Sequence, residues 1–253
     1  MKITDSVVRD GDRLFRWRSY APLLLLPILL LCLRETAALL PWADDGAHHV
    51  YLLICYGVSG IGLLVRWAVI AQAPSGTSGR CTSEKIAEQL NTRGLYSAVR
   101  HPLYVGNFIA MLGVFMATML WWAVLFFVLA YWLYIERIMA AEEHFLELKF
   151  GNEFRKWANT TPAFFPSFRN WSPSRYPVSI RNILRREYHG VLAVAFSIAL
   201  IEFVVDVGFQ GQSLFLWARE DRLWLILLAA SVALYLLLRA LKKHTALLDN
   251  PLV

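Results

Sequence analysis

The chain has 253 residues, 57% of them hydrophobic and only 17% charged, with a mean hydropathy of +0.46. A water-soluble domain this apolar would expose large sticky patches, so the composition excludes an ordinary soluble enzyme and predicts an all-α, polytopic membrane helical bundle. The net charge of +6 gathers in a few inter-span segments and reads as membrane orientation, not as a nucleic-acid footprint.

Residues 1–20 are polar, with Lys2, Arg9, Arg13, Arg16 and Arg18 running toward Pro22. The run Leu23 to Leu33 is the apolar centre of a first span, which continues through Leu39-Leu40-Pro41-Trp42 and is interrupted by Arg34 and Glu35. The long polar lead and the lack of a small-residue cleavage site argue against a cleaved signal peptide. Span two runs from about Val50 to Ala71, and its Gly57, Gly60 and Gly62 read as a close helix-packing face, since no strand precedes them to make a phosphate loop. A linker, Pro74 to Gly79, follows, and then Arg80 to Leu90, a short amphipathic helix opened by Thr82 or Ser83. From Leu103 to Met139 the chain is apolar for longer than one span needs. It reads as a hairpin of span three (Leu103–Thr118) and span four (Trp121–Met139), turning near Met119 and continuing into water as Ala140–Phe150, with Gly151 as the stop. Residues 152–188 are Pro-rich, aromatic and basic, a segment lying on the cytoplasmic membrane surface. Two more spans, about His189–Phe209 and Arg222–Leu241, close the chain.

Lys and Arg fill alternate segments, 1–20, 74–102, 137–188 and 239–253, whereas the intervening ones hold only Arg34, Arg219 and Arg222. That asymmetry predicts six spans with both termini cytoplasmic, in the cell (inner) membrane if the source is prokaryotic. Residues 1–188 form a four-span core with its motifs at 88–166, and 189–253 add two spans and a tail. Cys32, Cys55 and Cys81 are scattered, and the chain has no internal repeat.

Two separated stretches carry chemistry. LNTRGLYSAVRHPLY, residues 90–104, packs Arg93, Tyr96, Arg100, His101 and Tyr104 into a break between apolar segments, and Pro102 keeps a helix from running through it. Alone, it reads equally well as a cytoplasmic loop anchoring the next span. After the hairpin comes RIMAAEEHFLELKFGNEFRKW, residues 137–157, and then Pro162. RHPLYVG at 100–106, a hairpin of matching size, and the Glu142-Glu143 pair followed by Phe150-Gly151 together resemble the isoprenylcysteine carboxyl methyltransferase family and its phospholipid N-methyltransferase relatives. The resemblance covers residues 88–166, about a third of the chain.

The resemblance implies an integral-membrane methyltransferase that binds S-adenosyl-L-methionine at the cytoplasmic end of spans three and four. It assigns cofactor contacts to His101 and Tyr104, to Tyr96, and to the upstream run that includes Gln89, Leu90 and Asn91. Arg100, Pro102 and Leu103 belong to the same loop, and Glu142 completes the pocket. The residue types suit such a ligand: a carboxylate for hydroxyls or ammonium, Arg and His for a carboxylate, rings for adenine and sulfonium. The family sets a substrate-orienting Arg four residues before the first Glu, where this chain has Ile138. Arg137 lies about 100° away around an ideal helix. The substrate residue is therefore Arg137 or one of Arg66, Arg93 and Arg100, and the candidate catalytic set is His101, Arg137 and Glu142.

Other charges have structural readings. Glu143 reads as a solvated partner of Arg or Lys, Arg66 as an ion pair with Glu136 or a substrate contact, and Glu202 and Asp206 as partners of Arg219 or Arg222. His48, His49, His144, His189 and His244 form no metal-ligand grouping, so no metal is expected. The favoured acceptor is a lipophilic carboxylate, prenylcysteine-like or another acidic lipid, because an anionic oxygen needs no general base. Phospholipid amine or small-thiol methylation is the alternative, and a transporter or assembly partner the non-enzymatic one.

Overall fold

A computed structural model of the protein describes residues 3–18, 20, 24–39, 45–73 and 87–248. The regular structure of these residues is entirely helical. In chain order the helices are α1 (Ile3–Trp17), α2 (Leu26–Leu39), α3 (Asp45–Ala71), α4 (Pro102–Met116), α5 (Trp121–Phe150), α6 (Asn152–Thr160), α7 (Ile180–Phe203), α8 (Leu214–Glu220) and α9 (Arg222–His244). A 3₁₀ turn at Gly94–Ser97 precedes α4, and a π-helical turn, Val204–Phe209, extends α7.

Four helical stretches are long and apolar enough to cross a membrane: 46–71, 121–150, 180–209 and 222–244, while α4 is a shorter apolar helix. Their outward faces carry Leu53, Ile54, Ile61, Leu64, Leu125, Leu129, Leu133, Ile226, Leu236 and Leu237 exposed, which water would penalise and hydrocarbon accepts. At about 1.5 Å per residue, the 30 residues of α5 span about 45 Å, longer than a hydrocarbon core of about 30 Å, with Glu142 and Glu143 toward its C-terminal end.

The crossing of α3 and α4 organises the bundle. A Cβ on Gly62 would stand 2.3 Å from the Ala110 backbone nitrogen, and one on Gly113 2.4 Å from the Cys55 carbonyl oxygen, so the two backbones nearly touch. Ser59 Oγ donates to the Ala110 carbonyl (2.8 Å) and Tyr51 to that of Met116 (2.9 Å), tying the pair along its length. Close approach through small residues is how helices associate where water supplies no driving force. Gly57 and Gly60, read from the sequence as part of this face, meet no atom within 4 Å. Two and five residues before Gly62, they point away from the seam.

The hairpin turn falls where the length of the apolar run demanded it. Met119 adopts a positive φ of 59° between α4 and α5, and the Thr118 carbonyl receives the hydroxyl of Thr36 from α2 at 2.6 Å. Between α4 and α5 lies an aromatic core in which Phe115 and Phe127 stack at 4.6 Å and Phe108 meets Phe127, Tyr131 and Phe164. Gly151 ends α5 with φ 53°, as expected, but α6 restarts at once.

Three boundaries depart from the sequence reading. α1 is a docked helix and not a bare polar lead: a Cβ on Gly11 would lie 2.0 Å from the Arg137 carbonyl oxygen, so only glycine lets it seat on α5. α7 begins at Ile180, nine residues before the expected span, because Ser179 caps it by accepting from the Asn182 N–H (3.3 Å). The expected linker and all but the end of the amphipathic helix 80–90 lie outside the described residues, and Ala87 to Leu90 are not helical.

Candidate active site

Pro102 at the first turn of α4 leaves His101 as its N-cap residue, with φ −121° and ψ 60°, and aims the imidazole across at α5. Residues 94–101 are then held by the segment after α6. The Gly94 N–H donates to the Ser172 carbonyl (2.8 Å), Arg100 N–H to Pro162 (2.9 Å) and His101 N–H to Ala163 (3.2 Å), while Ser167 N–H returns a bond to Ala98 (2.9 Å). Trp157 Nε1 donates to the Tyr96 carbonyl at 3.0 Å. The Pro-rich segment is thus the clamp that fixes the motif loop.

Two carboxylates from α5 meet this loop. Tyr104 donates to Glu142 Oε1 (2.7 Å), and His101 Nδ1 is 3.4 Å from Glu142 Oε2. His101 Nε2 bonds Glu143 Oε1 at 2.9 Å, and Arg100 Nε lies 3.1 Å from the same oxygen. The His101 and Tyr104 rings stack at 5.7 Å. Burial opposes charge on His101, but hydrogen bonds and the negative charges of Glu142 and Glu143 outweigh it and hold its pKa above the ordinary 6.5. For Tyr96, burial first and Glu142 second push the phenol above its usual range, so it stays neutral.

Several residues singled out in the sequence converge here and others do not. His101, Tyr104 and Glu142 are in direct contact, and Arg100 joins them through Glu143. Pro102 is buried behind them, and Leu103 and Tyr96 are partly buried on the same loop. Gln89 reaches outward, donating to the Tyr176 hydroxyl at 2.9 Å, and Leu90 and Asn91 are half-buried beside it. Arg137 stays on its own helix, its guanidinium donating to the Leu133 carbonyl. Ile138 is fully buried in the core, so the offset leaves Arg137 turned away from the Glu142 cluster.

Two expected pairings are corrected. Arg66 does not pair with Glu136, which is exposed: it makes a two-pronged contact with Glu187 of α7, Nε to Oε2 at 2.7 Å and Nη2 to Oε1 at 2.8 Å, and Nη1 donates to Asn107. The guanidinium lies between α4 and α7, and α7 starts early enough to offer its own carboxylate. Glu202 pairs with His48 and not with Arg219 or Arg222, because α7 ends against the start of α3, and Asp206 places a carboxylate oxygen within 4.8 Å of Asp221 at the start of α9.

The sequence reading missed Arg18. From the end of α1 its Nη1 comes within 3.8 Å of Glu142 Oε1, and its guanidinium lies 3.9 Å over the Phe15 ring. The recurrence of Val7, Gly11, Leu14, Phe15 and Arg18 at helical spacing was the available signal.

Residues 52–153 match the family model for phospholipid methyltransferases. The chain is 36% identical over 109 residues, 43% of its own length and 48% of the relative's, to a nickel-cobalt-cadmium resistance protein, NccN, of Alcaligenes xylosoxydans xylosoxydans. It is 28% identical over 122 residues to a protein-S-isoprenylcysteine O-methyltransferase of Schizosaccharomyces pombe, covering 46% of this chain and 52% of that one. A cobalt-zinc-cadmium resistance protein, CzcN, of Cupriavidus metallidurans is 29% identical over 163 residues, 63% of this chain and 70% of the relative. The chain therefore spans about half the length of the first two relatives. No solved structure matches. Residues 52–153, which hold the arginine-histidine-proline motif and both glutamates, are the part of the chain that is similar to phospholipid methyltransferases, and an isoprenylcysteine O-methyltransferase is among the relatives the chain resembles.

Proposed function

We propose that the protein is an S-adenosyl-L-methionine-dependent membrane methyltransferase acting on a lipophilic acceptor. The observation that carries this is the convergence of His101, Tyr104 and Arg18 on Glu142 at the polar end of an apolar bundle. The donor set fits the cofactor: Glu142 for hydroxyl or ammonium groups, His101 for a carboxylate, and the stacked His101 and Tyr104 rings for an aromatic base. When bound, the cofactor would supply an electrophilic methyl group on sulfur. The protein's part is to hold the acceptor in line with it and to exclude water.

Both ring nitrogens of His101 face carboxylates, at 3.4 and 2.9 Å, and Glu143 is engaged by Arg100 and His101. Neither group stands ready to take a proton from an amine. This favours an acceptor that is already anionic, the carboxylate of a prenylcysteine-like or other acidic lipid. Arg18, beside Glu142, is the cation offered to it, with Arg137, one residue off the family spacing, the alternative. The six-span topology with both termini cytoplasmic is part of the same proposal. A thiol probe in oriented vesicles, on a cysteine-free background, should label Cys at Asn159 from the cytoplasmic side and at Gln212 from the other.

Incubating purified protein with methyl-labelled cofactor and native lipid extract should place label on a lipid carboxylate as an ester that base cleaves. Label on a base-stable amine would move the acceptor to a phospholipid amine, and no transfer to any lipid would sink the reading. Two relatives are named for metal resistance, so a membrane methyltransferase serving that setting is the second reading. Growth of a deletion strain on cobalt, nickel and cadmium salts checks it.

A further inference from the structure

Two of the tyrosine hydroxyls between α4 and α5 are engaged within the protein. Tyr104 donates to Glu142 Oε1 and Tyr131 to the Tyr104 carbonyl, each at 2.7 Å. Tyr134, three positions after Tyr131 on α5, differs: its hydroxyl oxygen is buried and has no hydrogen-bond partner among the described residues. The ring packs against the aromatic core that holds Phe15, Phe127 and Tyr131. Packing accounts for the ring but not for the oxygen. A buried O–H without a partner has given up water for nothing, so a side chain kept for packing alone would serve better as phenylalanine.

The surroundings of this oxygen suit an anion. Arg18 is close enough for its charge to act on the Tyr134 hydroxyl, and its Nη1 is 3.8 Å from Glu142 Oε1. That distance is longer than a hydrogen bond, and the two side chains are 20% and 24% exposed, so the pair can open to an incoming ligand. Arg137, the other cation considered for the acceptor, follows Tyr134 by three positions and stands on the same side of α5. Tyr134 precedes Glu142 by eight positions, about 12 Å of helix rise, and so lies toward the apolar middle of α5. A lipophilic acceptor would approach Glu142 from that direction.

We infer that the Tyr134 hydroxyl donates a hydrogen bond to the acceptor's carboxylate and, with Arg18, selects an anionic head group. The inference rests on the proposed methyl transfer to an acidic lipid and adds to it a specificity-determining residue. A carboxylate has two oxygens, of which methyl transfer uses one. The phenol and the guanidinium hold the other, leaving the first free to face the methyl group. Engaging the phenol breaks no hydrogen bond inside the protein, so the new bond is a net gain. An ammonium head group at the same place would be repelled by Arg18, which sets acidic lipids apart from phospholipid amines.

The test compares wild type with Tyr134→Phe, each as the full chain in detergent, with N-acetyl-S-farnesylcysteine as the acceptor probe. Equilibrium binding of the probe is measured in the presence of S-adenosyl-L-homocysteine, so that it does not depend on turnover. Tyr134→Phe should weaken the probe about tenfold, the loss of one hydrogen bond to a charged group. Its affinity for S-adenosyl-L-methionine should match wild type, and its melting temperature should be equal or higher, because no bond within the protein is lost. With methyl-labelled cofactor, KM for the probe should rise by the same factor at nearly constant kcat. Tyr131→Phe, which does lose a bond, should melt lower and provides the contrast. Equal probe affinity in wild type and Tyr134→Phe overturns the inference, as does a wild type that binds no probe. So does a melting temperature lowered as far as in Tyr131→Phe, which would show the hydroxyl to be bonded within the protein. Probe binding that depends on Tyr134 without methyl transfer would keep the head-group contact and sink the transferase reading. Transfer that is indifferent to Tyr134 would do the reverse.

Discussion

The two ends of α3 solve opposite electrostatic problems. At its C-terminal end the charges balance: Arg18, Arg66 and Arg100 meet Glu142, Glu187 and Glu143, and His101 bridges two of the carboxylates. At its N-terminal end three carboxylates meet two imidazoles, and among the described residues no guanidinium pairs with them. A balanced network can exchange partners with an incoming ligand that carries both signs, such as an amino acid head group, at little net electrostatic cost. An acid-rich cluster gains most from a cation. The same bundle thus carries two polar clusters of different charge balance.

The largest effect expected at the balanced end is at Arg66. Arg66→Met would leave Glu187, 3% exposed at its side chain, without its counter-charge, and should cost about 3–5 kcal/mol of stability. The double change Arg66→Met with Glu187→Met should recover most of that loss, and thermal unfolding in detergent measures both. Recovery absent in the double variant would mean that Arg66 acts mainly through Asn107 or the acceptor.

Neutralising an acid at the other end should act with the opposite sign. Asp206→Asn should stabilise the protein by about 1 kcal/mol and so raise its melting temperature, because an amide can donate to Asp221 where a carboxylate repels it. A lowered melting temperature would show that this end is balanced too, and the contrast between the ends would go.

At the motif end, Arg18→Ala should raise the KM for an acidic lipid about tenfold, one charge-assisted hydrogen bond, with cofactor affinity nearly unchanged. Arg18→Lys should recover only part of it, since ammonium lacks the two-pronged guanidinium geometry. Loss of cofactor affinity instead would assign Arg18 to the cofactor, and the acceptor cation would return to Arg137.

The smallest effect is the pH response of His101. Its pKa is raised on folding, so its pairing stabilises the protein fully below the unfolded value of about 6.5 and fades as pH rises through the folded value. Wild type should therefore lose melting temperature relative to His101→Gln as the pH rises above about 6.5 and through the folded value. Parallel curves would mean that the imidazole is neutral in its cage.

How much of this was legible in the sequence depends on the range of the interaction. Local signals read well: the length of the apolar run located the Met119 turn, Gly151 ended α5, and the motif spacing brought His101, Tyr104 and Glu142 together. Partners distant in sequence did not. Arg66 lies 121 positions from Glu187, and His48 154 from Glu202, and only the packing of α7 against α3 decides those pairs. His48 and His49 find their carboxylate partners, Glu202 and Asp221, in the last third of the chain. Arg18 was overlooked because a charged N-terminal run reads as a solvated lead unless its helical spacing is followed.

The central claim, a cofactor site built on Glu142, is tested most directly by calorimetric titration of S-adenosyl-L-methionine into three proteins: wild type, Glu142→Gln and Glu147→Gln. Glu147 lies on the same helix but pairs with Arg155 in an exposed contact at 2.6 Å. Wild type and Glu147→Gln should bind alike. Glu142→Gln should lose about 1.5–3 kcal/mol, roughly 10- to 150-fold in affinity, while melting near the wild-type temperature. Equal affinity in all three proteins, or no binding to wild type, would contradict the account.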